Sequence, residues 1–366
     1  MRARLLTILV DFFSVAALAV GLAVAPTLIY AVLLWWLDRY EKEPLPLLLM
    51  AFLWGAVPAI LLALVLEFGT GLSLEQLVVT DRTLQITEAS LVAPIVEEAV
   101  KAIILVVLFL AYKREFDNVL DGVIYGAMVG LGFALVENVL YFIFTAYEDI
   151  PAGSAPDLTS MFNLWIFRAG LFGLNHSMFT AFTGAALGFA RSVKYGWQRG
   201  LLAGLGLGTA MIFHAVHNTL ATGVSFLSAD ESNSGLVLGA CLGIVVSDWG
   251  GLLLILVVAI VSSIREAQVI RDTLSEEVAL GRFTPDEYAT LVSGRRRWNA
   301  RWKVLFSSGF VRWRQVGRFF DLATELAFRK HRMDDGDPIQ RTLSARDVAR
   351  LRGEIDRLRA RMVLAK

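Results

Sequence analysis

Ionisable and amide side chains recur within long apolar runs of this 366-residue chain, and they recur at helical spacing. Glu97, Glu98 and Lys101 lie in the stretch from Ala93 to Lys101. Glu137 and Asn138 lie in the next run, Arg168 and His176 in the one after it, and His214, His217 and Asn218 in the one after that. Three of the four histidines are thus at apolar depth, and the fourth is His331. An ionisable group at the centre of a membrane-crossing helix costs roughly 2.5–3.5 kcal/mol on insertion scales, so several in one chain imply a task.

These residue types suit hydrolysis in apolar surroundings. A glutamate withdrawn from solvent can accept a proton from water. Imidazoles can bind the same water, ligate a metal, or donate to a developing oxyanion. Asn218 is a neutral donor of the oxyanion-hole type. No better nucleophile is offered: Ser177 points away from His176 on its helix, and Cys241 has no base near it in sequence. The His-Glu-x-x-His motif of conventional zinc proteases is missing, as is a phosphate-binding glycine loop. The residues read as water attacking a carbonyl within the bilayer. A metal held by His176, His214 or His217 with a carboxylate is compatible with this reading and not required by it.

Spacing groups the residues further. Glu97 and Lys101 are at i,i+4, Glu98 and Lys101 at i,i+3, and His214 and Asn218 at i,i+4, as are Glu137 and Tyr141. Adjacent residues lie about 100° apart on a helix, so one glutamate is expected to face Lys101 and the other to have a separate task. The plain structural reading is that a Glu98–Lys101 pair locks the helix, and that Arg168 and Tyr141 only pack. Small residues at Gly122, Gly126, Gly130, Gly132, Gly184 and Gly188 would let four helices approach and share one polar centre.

The elements that carry these groups are read as membrane helices. Hydrophobic residues make up 56% of the chain and charged residues 19%, and mean hydropathy is positive, which excludes a disordered chain and an ordinary cytosolic enzyme. A single cysteine excludes a disulfide scaffold. About 20 apolar residues cross a bilayer, and such runs fall near 17–37, 45–68, 88–111, 118–146, 160–190, 200–223 and 236–263. The expected fold is all-α: a polytopic bundle of seven or eight spans over residues 1–263, then a basic helical tail over 264–366. The net charge of zero hides this division, because the tail carries 22 basic and 14 acidic groups and the body 12 and 20. Lys and Arg mark the cytoplasmic side, and Arg39, Lys42, Lys113, Arg114, Arg191, Lys194 and Arg199 all fall in alternate loops with the tail. Only Arg2 and Arg4 disagree, and a short eighth span at the N-terminus would remove that conflict. Residues 5–37 are otherwise longer than one crossing needs.

At its polar residues the chain resembles the PrsW family of intramembrane proteases, relatives of the CAAX prenyl proteases and bacteriocin-processing enzymes. The resemblance rests on Glu97-Glu98-x-x-Lys101, on Gly132-Phe133-Ala134-Leu135-Val136-Glu137-Asn138 with Tyr141, on Phe172-x-x-x-His176 and on His214-x-x-x-Asn218. Asp38-Arg39-Tyr40-Glu41-Lys42-Glu43-Pro44 is similar to the family's first cytoplasmic loop. Together these cover roughly residues 25–225. The resemblance implies that Glu97 with His176 positions and deprotonates the hydrolytic water, that His214 and Asn218 stabilise the oxyanion, and that Glu98 with Lys101 holds the helix and tunes charge. Glu137 and Asn138 belong to the pattern without an assigned role, and His217 lies outside the spacing shared with the CAAX enzymes. The resemblance leaves open a metalloprotease, with Zn2+ at His176, His214 and Glu97, or a glutamate-dependent enzyme. It implies a bacterial plasma membrane protein acting on a membrane-anchored protein such as an anti-sigma factor. The alternative from the residues alone is a proton- or ion-coupled transporter with the same Glu/His/Lys relay, though no internal repeat supports it.

In the tail, Leu274 to Leu291 reads as two short helices around Gly281-Arg282-Phe283, with Thr284-Pro285-Asp286-Glu287 as a helix start. Residues 294–320 interleave Arg295-Arg296-Arg297 and Arg314 with Trp298, Trp302, Phe306 and Trp313. That composition suits the anionic cytoplasmic leaflet rather than nucleic acid. Val348, Leu351, Ile355, Leu358 and Met362 form a helical stripe expected to pack on the tail itself.

Overall fold

The computed structural model describes residues 2–38, 40, 42–75, 80–113, 115–148, 150–151, 154–228, 230–335 and 338–364. Helices and turns make up these residues, with no strand among them. They divide into two compact units. The first comprises Met1–Leu37 and Glu43–Ala259, the second Asp38–Lys42 and Ile260–Lys366.

The first unit opens with α1 (Arg2–Leu37), one helix that buries Val15, Ala19 and Ala23 at a spacing of four. No separate short span precedes it among the described residues. Pro26 lies inside α1 and cannot bond the carbonyl of Leu22. The indole of Trp165 takes that carbonyl at 3.0 Å, so the helix continues. α2 (Leu45–Trp54) passes through a π-turn at Gly55–Ala59, which contains Pro58, into α3 (Ile60–Leu74). The third run is α4 (Asp81–Thr87), a π-turn at Glu88–Val92 and α5 (Ala93–Ala111). α6 (Val119–Tyr147) starts at a capping box of Asn118 and Asp121. It is buried almost without interruption from Leu120 to Ala134, which makes it the unit's central post.

The fifth apolar run is not the single helix expected over 160–190. It consists of α7 (Leu158–Trp165), a π-turn at Ile166–Leu171, a break at Phe172–Leu174 and α8 (Asn175–Phe189). Gly170 lies just before the break and Gly173 within it, and Tyr30 donates its hydroxyl to the nearby Ala169 carbonyl at 2.8 Å, satisfying backbone that the break exposes. α9 (Gly196–Leu227) and α10 (Ser234–Ala279) follow. α10 belongs to the first unit as far as Ala259 and to the second from Ile260.

Among the described residues five helices are long and apolar enough to cross a membrane: Leu9–Leu37, Leu45–Ser73, Val119–Tyr147, Gly196–Leu227 and Ser234–Ala279. The third and fifth runs fall short of that description for a physical reason. α5 carries Glu97, Glu98 and Lys101 within 19 residues, and the fifth run is broken.

Glycine sets how closely α6 and α8 meet. A Cβ on Gly122 would overlap the Gly184 carbonyl, one on Gly126 the Thr180 carbonyl, and one on Gly130 the His176 carbonyl. On another side of α6, a Cβ on Gly132 would overlap Phe52 O. Small-residue seams of this kind replace the missing hydrophobic drive between helices in lipid.

In the second unit, α11 (Pro285–Leu291) starts at a capping box of Thr284 and Glu287, as expected. α12 (Gly294–Asp335) is interrupted at Gly309 (φ 79°, ψ 178°), and α13 (Pro338–Leu364) follows. The first of the two short helices expected between Leu274 and Leu291 is the end of α10. Ile270, Leu274, Phe319, Phe320, Leu326, Val348, Leu351 and Ile355 are buried together, so the α13 stripe packs on its own unit. Glu277 is buried between Lys330 (2.7 Å) and Arg352 (2.5 Å). The segment 38–42 joins this unit through Tyr40. Its hydroxyl accepts from Gly294 N–H at 3.3 Å, and its carbonyl accepts from Arg297 at 3.3 Å. Burial pushes the Arg297 guanidinium down to about 10.

The seam makes a direct prediction. Gly130→Ala is expected to destabilise the protein by about 1–3 kcal/mol, the usual cost of overpacking, or more because the clash is with backbone. Gly204→Ala, where a Cβ meets nothing within 4 Å, should leave the melting temperature unchanged or slightly raised. Thermal unfolding of both in detergent checks this.

Candidate active site

Three charged side chains on successive turns of α5 begin the site. Lys101 is fully buried, and its ammonium donates to Glu97 Oε2 and to Glu98 Oε1, each at 2.9 Å. The expectation that only one glutamate could face Lys101 is therefore wrong. The two lie about 100° apart, but positions i−4 and i−3 straddle Lys101, and long side chains close the remaining angle. Glu98 is saturated: its other oxygen accepts from Thr180 at 3.0 Å, and Oε1 also meets His214 Nδ1 at 3.1 Å. The Lys101 ammonium further lies 3.1 Å from His176 Nδ1 and 3.7 Å from the centre of the Phe133 ring.

The break before α8 places His176 as the second residue of that helix, rather than midway along a span. Its ring is held from the far side, where Nε2 meets Glu137 Oε2 at 2.7 Å. Glu137 is itself held by Arg168 at 2.6 Å, and Arg168 also donates to Asn138 Oδ1 at 3.0 Å while stacking 3.9 Å over Tyr141. Arg168, Glu137, Asn138 and Tyr141 are thus one brace behind His176. The π-turn at Ile166–Leu171 is the segment that carries Arg168 to that brace.

α9 supplies His214, which is buried and stacked on Phe179 at 4.8 Å and 15°. Both histidines therefore present the same arrangement. One nitrogen is fixed by a carboxylate, Glu98 for His214 and Glu137 for His176. The other nitrogen faces Glu97 Oε2 at 3.9 Å in each case. Carboxylate support of this kind fixes the tautomer and orientation of a working imidazole.

The donor atoms of Glu97, Glu98, His176 and His214 lie within 4.8 Å of one another. Two imidazoles and a carboxylate suit a divalent first-row metal. Glu97, Glu98 and Glu137 are held by two cations, Lys101 and Arg168. The residues present therefore fit an ion at Glu97, His176 and His214, with Lys101 as the competing cation at Glu97 and His176.

Two expected site residues stand apart from Glu97. Asn218 donates its amide to Ala89 O at 3.0 Å. In the π-turn the next partner of that carbonyl is Pro94, which has no N–H, so Asn218 satisfies a carbonyl that proline left open. His217 meets Asp248 at 2.7 Å, and Asn175, the residue before His176, donates to the same Asp248 oxygen at 2.8 Å. Asp248 and Thr180 were missed from sequence. Asp248 is the only charged residue in the apolar run 236–263, and the rule that marked Glu97 marks it too. Thr180 carries no such signal.

These features define a class: a polytopic helical membrane protein with a buried glutamate–histidine centre able to hold a metal. Comparison with known proteins gives the particular family. The family model for PrsW family intramembrane metalloproteases matches residues 43–264, and the chain belongs to that family. It is 38% identical over 112 residues to the protease PrsW of Geobacillus kaustophilus, covering 30% of this chain and 46% of that one. It is 37% identical over 127 residues to the protease PrsW of Clostridioides difficile (33% and 48%), and 33% over 112 residues to that of Bacillus subtilis (29% and 45%). The chain spans about half the length of the curated relatives it matches. No solved structure matches it. Nothing in the comparisons supports the transporter alternative.

Removing the shared cation tests the centre. Lys101→Met leaves Glu97 and Glu98 buried without it, and loss of one partner from a buried ion pair costs about 3–5 kcal/mol. The variant should unfold at clearly lower temperature in detergent. A neutral partner set, Lys101→Met with Glu98→Gln, should recover part of the loss.

Proposed function

We propose that this chain is an intramembrane endopeptidase that hydrolyses a peptide bond of a membrane-anchored protein in the bacterial plasma membrane. In this reading the third and fifth runs complete seven crossings. The observation that carries the proposal is Glu97 Oε2, 3.9 Å from both His176 Nδ1 and His214 Nε2. That separation is too long for direct hydrogen bonds and suits one water joining the three atoms once the Lys101 ammonium, 3.1 Å from His176 Nδ1, turns away from it.

Glu97 accepts a proton from this water as its oxygen attacks the scissile carbonyl carbon. His176, oriented by Glu137 and the Arg168 brace, holds the water in line. The carbonyl electrons move to oxygen, and His214 as the imidazolium, its Nδ1–H held by Glu98, donates Nε2–H to the oxyanion. When the oxyanion collapses, the C–N bond breaks and Glu97 returns its proton to the departing amine. Asn218 contributes a second donor to the oxyanion when its amide exchanges the Ala89 carbonyl for substrate. Lys101 keeps Glu98 charged and aligned. His217, with Asp248 and Asn175, supports the start of α8 from behind. A Zn2+ ion at Glu97, His176 and His214 would polarise the carbonyl and make the water more acidic. An anti-sigma factor or similar single-span regulator is the proposed substrate class, following the family resemblance.

Cleavage of a model single-span protein in proteoliposomes tests the assignment. Glu97→Gln and His176→Ala should each lower kcat roughly 10²–10⁴-fold, the usual contribution of a positioned proton acceptor, in protein whose circular dichroism shows it still folded at the assay temperature. Full activity in both variants sinks it. For the metal, the purified protein should carry about one equivalent of zinc by elemental analysis, lost in His214→Ala. Undiminished cleavage by metal-free protein would leave Glu97 and the histidines acting alone.

A further inference from the structure

The family match ends at residue 264, so the second unit's surface has no assigned role. Its most unusual surface is the bend in α12. Gly309, at φ 79° and ψ 178°, adopts a conformation open essentially only to glycine, and the helix doubles back there. Contacts across the bend establish the hairpin. The Arg301 guanidinium packs 4.4 Å over the Trp313 ring, and a Cβ on Gly317 would meet Arg301 Nη2 at 3.1 Å. The expected basic aromatic stretch is therefore a finger with a tip rather than one flat helix.

The tip is bare, and three large apolar side chains flank Ser307, Ser308 and Gly309 at the turn. Phe306 is 82% exposed, Phe310 61% and Val311 72%. Behind it, Trp298 meets Trp302 edge to face at 5.5 Å, Trp302 stacks on Phe306 at 5.8 Å, and Phe310 stacks on Trp313 at 5.4 Å. Residues 294–318 contain eight basic side chains and no acidic one. Lys303, Arg312 and Arg314 are the basic residues closest in sequence to the tip. An apolar end with aromatic sides and a basic collar matches a bilayer interface with anionic headgroups in each layer. A nucleic-acid partner would not require the exposed Phe306-Phe310-Val311 end, and the basic collar around that end favours anionic lipid over a protein partner.

We infer that the α12 hairpin inserts tip-first into the anionic lipid leaflet, Phe306, Phe310 and Val311 entering the acyl boundary and Lys303, Arg312 and Arg314 engaging lipid phosphates. The inference does not depend on the hydrolase assignment. It gives the second unit a lipid-composition-sensitive anchor.

The test uses the full chain in nanodiscs, with exposed Cys241 replaced by serine. An environment-sensitive fluorophore is placed by Val311→Cys at the tip or by Asp286→Cys, at an exposed site on α11. In nanodiscs containing phosphatidylglycerol the tip probe should shift to the blue and be quenched by lipids spin-labelled near the headgroup, while the α11 probe stays solvent-like. In pure phosphatidylcholine the shift should weaken, since each basic residue contributes roughly fivefold to partitioning at an anionic surface. Lys303→Glu with Arg312→Glu and Arg314→Glu should abolish the shift at unchanged circular dichroism. A tip probe as wet as the α11 probe in both lipids overturns the inference. So does shielding that persists in detergent and rises with protein concentration, which would mean a second copy, or shielding that requires added nucleic acid.

Discussion

An ammonium group buried among carboxylates is the constraint on which the first unit depends. Lys101 is sealed from solvent, and in a low-dielectric interior an unpaired ammonium would cost several kcal/mol. Its pairing with Glu97 and Glu98 removes most of that cost but imposes others. Glu98 needs further donors and finds Thr180 on α8 and His214 on α9. His176 needs a partner on its far side and finds Glu137 on α6, which in turn needs Arg168. Each polar group draws in the next, and the chain of requirements ties α5, α6, α8 and α9 into one arrangement. Glu97 is the group this network leaves with an oxygen turned toward two imidazoles.

The backbone irregularities serve that network. Regular helices would carry Arg168 and His176 past their partners. The π-turn at Ile166–Leu171 and the break after it place the two on either side of Glu137. Non-helical backbone at membrane depth survives only where it is buried and its polar groups are satisfied. Tyr30 at Ala169, Trp165 at Leu22 and Asn218 at Ala89 each satisfy a carbonyl exposed by a break or a proline. Asn218 therefore has a structural task in the resting protein besides the one proposed for it in turnover.

The two units solve different problems with the same residue types. In the first, charge is scarce at the centre, and Lys101 and Arg168 each serve two partners. In the second, Glu277 is held by Lys330 and Arg352 in a soluble-type core, and surplus basic groups collect around an aromatic hairpin. The formal neutrality of the chain averages over these two environments.

The sequence by itself determined the helical class, five of the runs able to cross a membrane and the handful of residues whose burial needs a reason, because hydropathy and the cost of intramembrane charge are local properties. Glu97, Glu98, Lys101, His176 and His214 were all legible that way, and the glycines marked where helices meet. Only the tertiary structure decided the rest. That Lys101 serves both glutamates depends on side-chain reach, which helical angles alone misjudged. That His217 turns to Asp248, that Arg168 braces Glu137, and that α12 reverses at Gly309 depend on groups far apart in the chain, or on one backbone angle. Spacing cannot encode these features, because they exist only once the helices have packed.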